Sequence, residues 1–68
     1  MNHTRVISSN LYSVGYENNV LEISFNDGSL YRYSPVPMNV YAALMRAPSK
    51  GKYFHAYIKD RYQTIKMH

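Results

Sequence analysis

An α+β fold, with a small antiparallel sheet of three to four strands followed by two helices and room for a short C-terminal strand, is what this 68-residue sequence predicts. Three observations carry that reading. Residues 20 to 25 alternate apolar and polar side chains with the two-residue period of a half-buried strand. A tight-turn sequence, Asn26-Asp27-Gly28-Ser29, follows at once and leads into a second strand-favouring run. Prolines at 35 and 37 then stop the sheet pattern, and from Met38 the apolar spacing becomes helical.

Taken in order, Arg5-Val6-Ile7-Ser8 has the composition to add an edge strand, and Leu11–Tyr16 reads as the first full strand. A Glu17-Asn18-Asn19 turn connects it to Val20–Phe25, in which Leu21, Ile23 and Phe25 face the core while Glu22 and Ser24 face away. Beyond the turn at Gly28, Leu30-Tyr31-Arg32-Tyr33 closes a β-hairpin. Pro37 suits the first turn of a helix that runs from Met38 to Ala47 and presents Val40, Leu44 and Ala47 as one stripe. Pro48 ends it. Ser49 can cap a second helix from Lys50 to Tyr62, where Phe54, Ile58 and Tyr62 recur at four-residue spacing on one face. The tail Gln63–Met67 can return as a strand.

Size allows one domain, residues 1–68, and little more stability than a small core supplies. There is no cysteine, so disulfides and thiolate zinc sites are excluded, as suits a reducing compartment. His3, His55 and His68 do not fall at ligand spacing, and no metal or other cofactor is expected. Assembly into a homo-oligomer is the remaining route to added stability. No apolar run is long enough to cross a membrane and the N-terminus lacks an apolar signal core, so the expectation is a cytoplasmic protein with no membrane partner.

Charge is unevenly placed. Residues 1 to 45 hold Arg5 and Arg32 against three acids, whereas residues 46 to 68 hold six cations against Asp60 alone. An anionic partner is therefore expected at the C-terminal third. On a continuous second helix Lys52, His55 and Lys59 would share a face opposite Phe54 and Ile58, making a basic stripe. A solvated helix surface is the plainer reading of such a stripe, and it gains meaning from the eight tyrosines. Tyrosine combines a flat ring that stacks on bases with a hydroxyl that bonds phosphate or sugar. Tyr31 and Tyr33 share one strand face, with Arg32 on the other. At the start of the second helix, Ser49, Lys50, Gly51 and Lys52 combine free backbone N–H groups with positive charge. The candidate ligand-binding residues are thus Tyr31, Tyr33 and Tyr53 among the aromatics, and Arg46, Ser49, Lys50, Lys52, His55 and Lys59 among the polar groups. Four scattered acids offer no paired carboxylates and no nucleophile with a base, so no enzyme is expected.

The run Ser8-Ser9-Asn10, Gly15-Tyr16, Leu21-x-Ile23-x-Phe25, Gly28, Tyr31-x-Tyr33, Val36-Pro37, Tyr41, Ala47-x-Ser49-x-Gly51-x-Tyr53-Phe54 and Ile58 resembles the KTSC domain over nearly the whole chain. That family is found at the C-terminus of some lysyl-tRNA synthetases and as standalone proteins of bacteria and phages, with Tyr-x-Tyr as its hallmark. The resemblance implies a compact α+β domain and, through the synthetase, RNA as a partner. His55 and Lys59 stand where the pattern leads one to look for asparagine and arginine.

Residues and resemblance together point to a non-catalytic module that binds a nucleotide or RNA by tyrosine stacking and a basic C-terminal helix. One alternative is a phage-type homo-oligomeric sponge that sequesters a cyclic nucleotide immune signal between subunits. Another is a protein-interaction subunit with no nucleotide ligand, in which the tyrosines serve only core and interface.

Overall fold

The computed structural model describes residues 1–68. In chain order the elements are β1 (His3–Arg5), β2 (Leu11–Glu17), β3 (Val20–Phe25), β4 (Leu30–Ser34), α1 (Met38–Arg46), α2 (Lys50–Tyr57) and β5 (Gln63–Lys66). All five strands form one sheet in the order β1-β2-β3-β4-β5, and every neighbouring pair is antiparallel. The α+β architecture is thus as expected, and the returning C-terminal segment completes the sheet.

Local chemistry explains the turns. Asn18 and Asn19 join β2 to β3 with φ values of 51° and 64°, the left-handed conformation that asparagine tolerates better than most residues. Between β3 and β4 the Asp27 carboxylate accepts the backbone N–H and hydroxyl of Ser29, at 2.9 and 2.7 Å, while Gly28 takes φ 92°. The Ser34–Pro35 peptide is cis, and Pro37 precedes α1 as its N-cap. Ser49 caps α2, its Oγ accepting the backbone N–H of Lys52 at 3.3 Å.

Side chains alternating along the sheet put Leu11, Val14, Leu21, Ile23 and Tyr33 on one face, where they close a core with Val36, Leu44, Phe54 and Ile58. Phe54 lies at its aromatic centre, edge-on to Phe25 at 5.4 Å and to Tyr33 at 5.5 Å between ring centroids. Nearer α1, Tyr16 stacks on Tyr41 at 4.6 Å and donates its hydroxyl to the Val36 carbonyl. Such contacts add to the area these rings bury.

Two elements differ from expectation by more than one residue. The N-terminal strand is His3–Arg5 rather than Arg5–Ser8, because only Val6 of that segment turns inward. Ile7 is 99% exposed, and Ser8 reverses the chain by accepting the N–H groups of Asn10 and Leu11 on its hydroxyl. Helix α2 stops at Tyr57 instead of Tyr62. Asp60 adopts φ 62° and the chain turns back, which lets Gln63–Lys66 pair with β4; a helix continued to Tyr62 would lose that pairing.

Candidate functional site

The Ser8–Asn10 loop, the β3–β4 turn and α2 surround a continuous set of shallow concavities. Asn26 holds the loop and the turn together, its backbone N–H donating to the Asn10 carbonyl at 2.8 Å and its amide donating to the Ser8 carbonyl at 3.1 Å. The buried Gly51 of α2 faces Asn10 across the loop. Asn10 consequently borders all three concavities of the molecule and stands where they meet.

At one end lies a cleft of about 400 Å³ with Phe25, Tyr31, Tyr33 and Phe54 as its aromatic lining. Tyr31 and Tyr33 lean together with ring centroids 6.4 Å apart, and Tyr31 meets Phe25 edge-on at 5.8 Å. Tyr31 stays half-buried while Tyr33 is buried. Burial, and then the neighbouring Tyr31 and Asp60, push the Tyr33 phenol up to about 12, so at neutral pH it is a hydrogen-bond donor rather than an anion. The rim is polar. His55 and Lys59 project from α2 and the turn after it, with Asp60, Thr64, Ser29 and Asp27 around the remainder. Hydrogen bonds from Ser29 hold the Asp27 carboxyl below its ordinary range, and it is ionised.

The other end is lined by Ser49, Gly51, Lys52, Ala56 and again His55, together with Ser9 and Asn10. It is flatter, and five of its seven lining residues carry polar side chains. His55 therefore belongs to both ends, and Asn10 and His55 stand between the aromatic cleft and the lysine-bearing one.

Of the residues expected from sequence, Tyr31, Tyr33, Ser49, Lys52, His55 and Lys59 border this groove. Arg46, Lys50 and Tyr53 do not. Lys50 bends back to donate to the Ala47 carbonyl at 3.2 Å, and Tyr53 packs against Tyr57 at 4.7 Å on another side of α2. Arg46 is exposed at the end of α1. The stripe expected on a continuous helix is also redrawn, since Lys59 lies beyond the last turn of α2. Asn10, Phe25, Phe54 and Asp60 were not among the expected site residues. Asn10 stood out in the sequence only as part of the Ser8-Ser9-Asn10 run of the family pattern, and the two phenylalanines read as core.

On the opposite face of the sheet a second polar group is assembled. His3, Gly15, Glu22, Arg32 and Ile65 lie in register across the five strands. From β1 the His3 ring crosses over Gly15 to reach β3, and a Cβ on residue 15 would lie 2.8 Å from His3 Cδ2. Glycine leaves that passage open. His3 Nε2 donates to Glu22 Oε1 at 2.6 Å, its Nδ1 lies 2.8 Å from the Ser13 hydroxyl, and Arg32 Nε donates to Glu22 Oε2 at 2.6 Å. His3 is thus part of a strand and of a network, where sequence left it in a terminal segment. A serine, an imidazole and a carboxylate do meet here, contrary to the reading that no such set could be assembled. None of the three concavities reaches them, however, and Arg32 occupies the second carboxylate oxygen.

Burial alone would raise the Glu22 pKa, but the hydrogen bonds and charges of Arg32 and His3 outweigh it and hold the carboxyl below its ordinary 4.5. A carboxyl depressed in the fold stabilises it above the unfolded value, and that contribution is lost as pH falls through the lower folded one. The urea midpoint of the native protein should therefore drop as pH falls below 4.5. Glu22→Gln, measured across the same range, should start lower and show a shallower fall; parallel curves for the two proteins would contradict this assignment.

Comparison with known proteins agrees with the architecture. The KTSC domain family pattern matches residues 7–62. An uncharacterised protein of Stutzerimonas stutzeri is 41% identical over 64 residues, covering 91% of this chain and 90% of that one. A lysine–tRNA ligase of a Nostoc species is 46% identical over 43 residues, which are 63% of this chain and only 8% of the ligase. The crystal structure of a KTSC domain protein from Yersinia pestis superposes with a TM-score of 0.95 at 35% identity, covering 98% of this chain and 97% of the other.

Proposed function

The chain belongs to the KTSC domain family, and from that premise we propose that it is a non-catalytic binding module whose groove takes a nucleotide or a single-stranded RNA segment. The observation that carries the reading is the aromatic cleft under Tyr31 and Tyr33 with His55 and Lys59 on its rim. A cleft of about 400 Å³ lies in the range of sites that hold one small ring system. Its aromatic lining offers a base the edge and face contacts that make stacking largely independent of sequence. Lys52, at the other end of the groove, supplies charge for the phosphate that a stacked nucleotide brings with it.

A partial match to lysine–tRNA ligases is consistent with an RNA setting. Binding rather than turnover is favoured by the location of the Ser13–His3–Glu22 group, which lies on the other face of the sheet from the groove.

Fluorescence anisotropy with labelled single-stranded RNA, AMP competition and a parallel titration of cyclic dinucleotides tests the reading. RNA binding should weaken with salt along a slope of about −0.7 per phosphate neutralised. Lys52→Ala or Lys59→Ala should weaken binding similarly for all sequences and flatten that slope by about 0.7. Binding of cyclic dinucleotides with no response to RNA would favour the sponge alternative. Absence of binding to every nucleotide would leave an interaction subunit.

A further inference from the structure

Asp60 is the one acid among the last 23 residues. Its φ of 62° is in the left-handed region, which aspartate tolerates as asparagine does. It follows the C-terminus of α2 closely, however, and the negative end of a helix disfavours a carboxylate. No structural partner offsets that cost. Both ion pairs of the fold belong to Glu22, and no hydrogen bond ties the Asp60 side chain down. Instead Asp60 lines the aromatic cleft beside Tyr33, whose hydroxyl feels its charge.

A second carboxylate, Asp27, lines the same cleft, with both of its Ser29 bonds directed to Oδ1. The aromatic end of the groove is thus bordered by two acids together with Lys59 and His55, whereas at the far end Lys52 stands with no acid beside it. A phosphate placed in the cleft would meet both carboxylates as well as Lys59. A ring bearing an N–H donor would meet in Asp60 an acceptor that no hydrogen bond or ion pair of the fold engages, with its phosphate left toward Lys52.

We propose that the cleft is selective for an aminated nucleobase, with Asp60 accepting a hydrogen bond from the exocyclic amine while the sugar and phosphate run along the groove toward His55 and Lys52. This rests on the nucleotide-binding reading of the groove and adds to it the identity of the group that enters first. Asp60 is on this account a specificity-determining residue. A free nucleotide and a base at the end of an RNA strand present the same chemistry.

Isothermal titration of the full chain with AMP and with purine riboside 5′-monophosphate, which lacks only the exocyclic amine, tests the proposal. AMP should bind about tenfold more tightly, the equivalent of one hydrogen bond to a charged acceptor after solvation is counted. Asp60→Gly, free to keep the same left-handed backbone, should bring the two ligands to equal affinity. Asp60→Asn, which retains a neutral acceptor, should fall between. Circular dichroism melting checks that each variant is folded. Oligoadenylate titrated in parallel identifies the source: tighter binding than AMP points to RNA and equal binding to a free nucleotide, and both support the proposal. Equal affinities for the two nucleotides in the native protein, or a preference that survives in Asp60→Gly, would overturn the selectivity and leave the groove a nucleotide site. Failure of every nucleotide and strand to bind would overturn both.

Discussion

Replacing Phe54 by alanine is expected to abolish cooperative folding at ordinary temperature. Its ring is 5% exposed and meets Phe25 and Tyr33 edge-on, joining α2 to β3 and β4 at once. Truncating a buried phenylalanine to alanine costs about 3–5 kcal/mol, from lost transfer energy and from the cavity left behind. A chain of 68 residues without disulfides has a total stability of about the same size. The loss therefore has no reserve to draw on. Phe54→Leu keeps most of the volume and should melt cooperatively at a lowered temperature. Thermal melts followed by near-ultraviolet circular dichroism distinguish the cases, and a Phe54→Ala protein with a cooperative transition close to that of the native protein would show the aromatic centre to be dispensable.

Tyr31→Ala should have the opposite profile, leaving the fold in place while reducing binding of single-stranded RNA by about ten- to a hundredfold. Tyr31 is half-buried at the mouth of the cleft, whereas its neighbour Tyr33 is sealed beneath it. Removing the outer ring takes away the surface on which a base stacks and leaves the core residues of β4 in contact. Tyr31→Phe separates ring from hydroxyl: it should retain most of the affinity if stacking dominates. Anisotropy titrations of the three proteins at one salt concentration, accompanied by urea melts, give both readouts. Undiminished affinity in Tyr31→Ala would move the ligand away from the cleft, with the exposed Tyr57 and its neighbour Tyr53 then the surface to examine.

Much of the candidate groove was legible in the chain, residue type by residue type. Tyr31 and Tyr33 share a face because strand geometry alternates, and Arg32 is turned to the other face, where it meets Glu22. Ser49 caps the second helix as its position before Lys50 suggests. Lys52 and His55 lie within one helix and reach one side of it. Less visible was the role of Asn10, which is distant in sequence from Gly51 and from Tyr31 and meets them only because Asn26 holds its loop against the β3–β4 turn.

From the sequence by itself came the order and type of the elements, because each depends on neighbours in the chain: alternation in Val20–Phe25, turn residues at Asn26–Ser29, proline before Met38 and a hydroxyl before Lys50. Tertiary structure alone decided where α2 ends, since no glycine or proline marks the stop and the pairing of β5 with β4 requires the chain to reverse. It also decided that His3 belongs to a strand, through a bond to Glu22 nineteen positions away, and that Lys50, Tyr53 and Arg46 lie outside the groove. Local patterns record what a residue shares with its neighbours in sequence; the partners gathered around a groove are set by how the packed elements close upon one another.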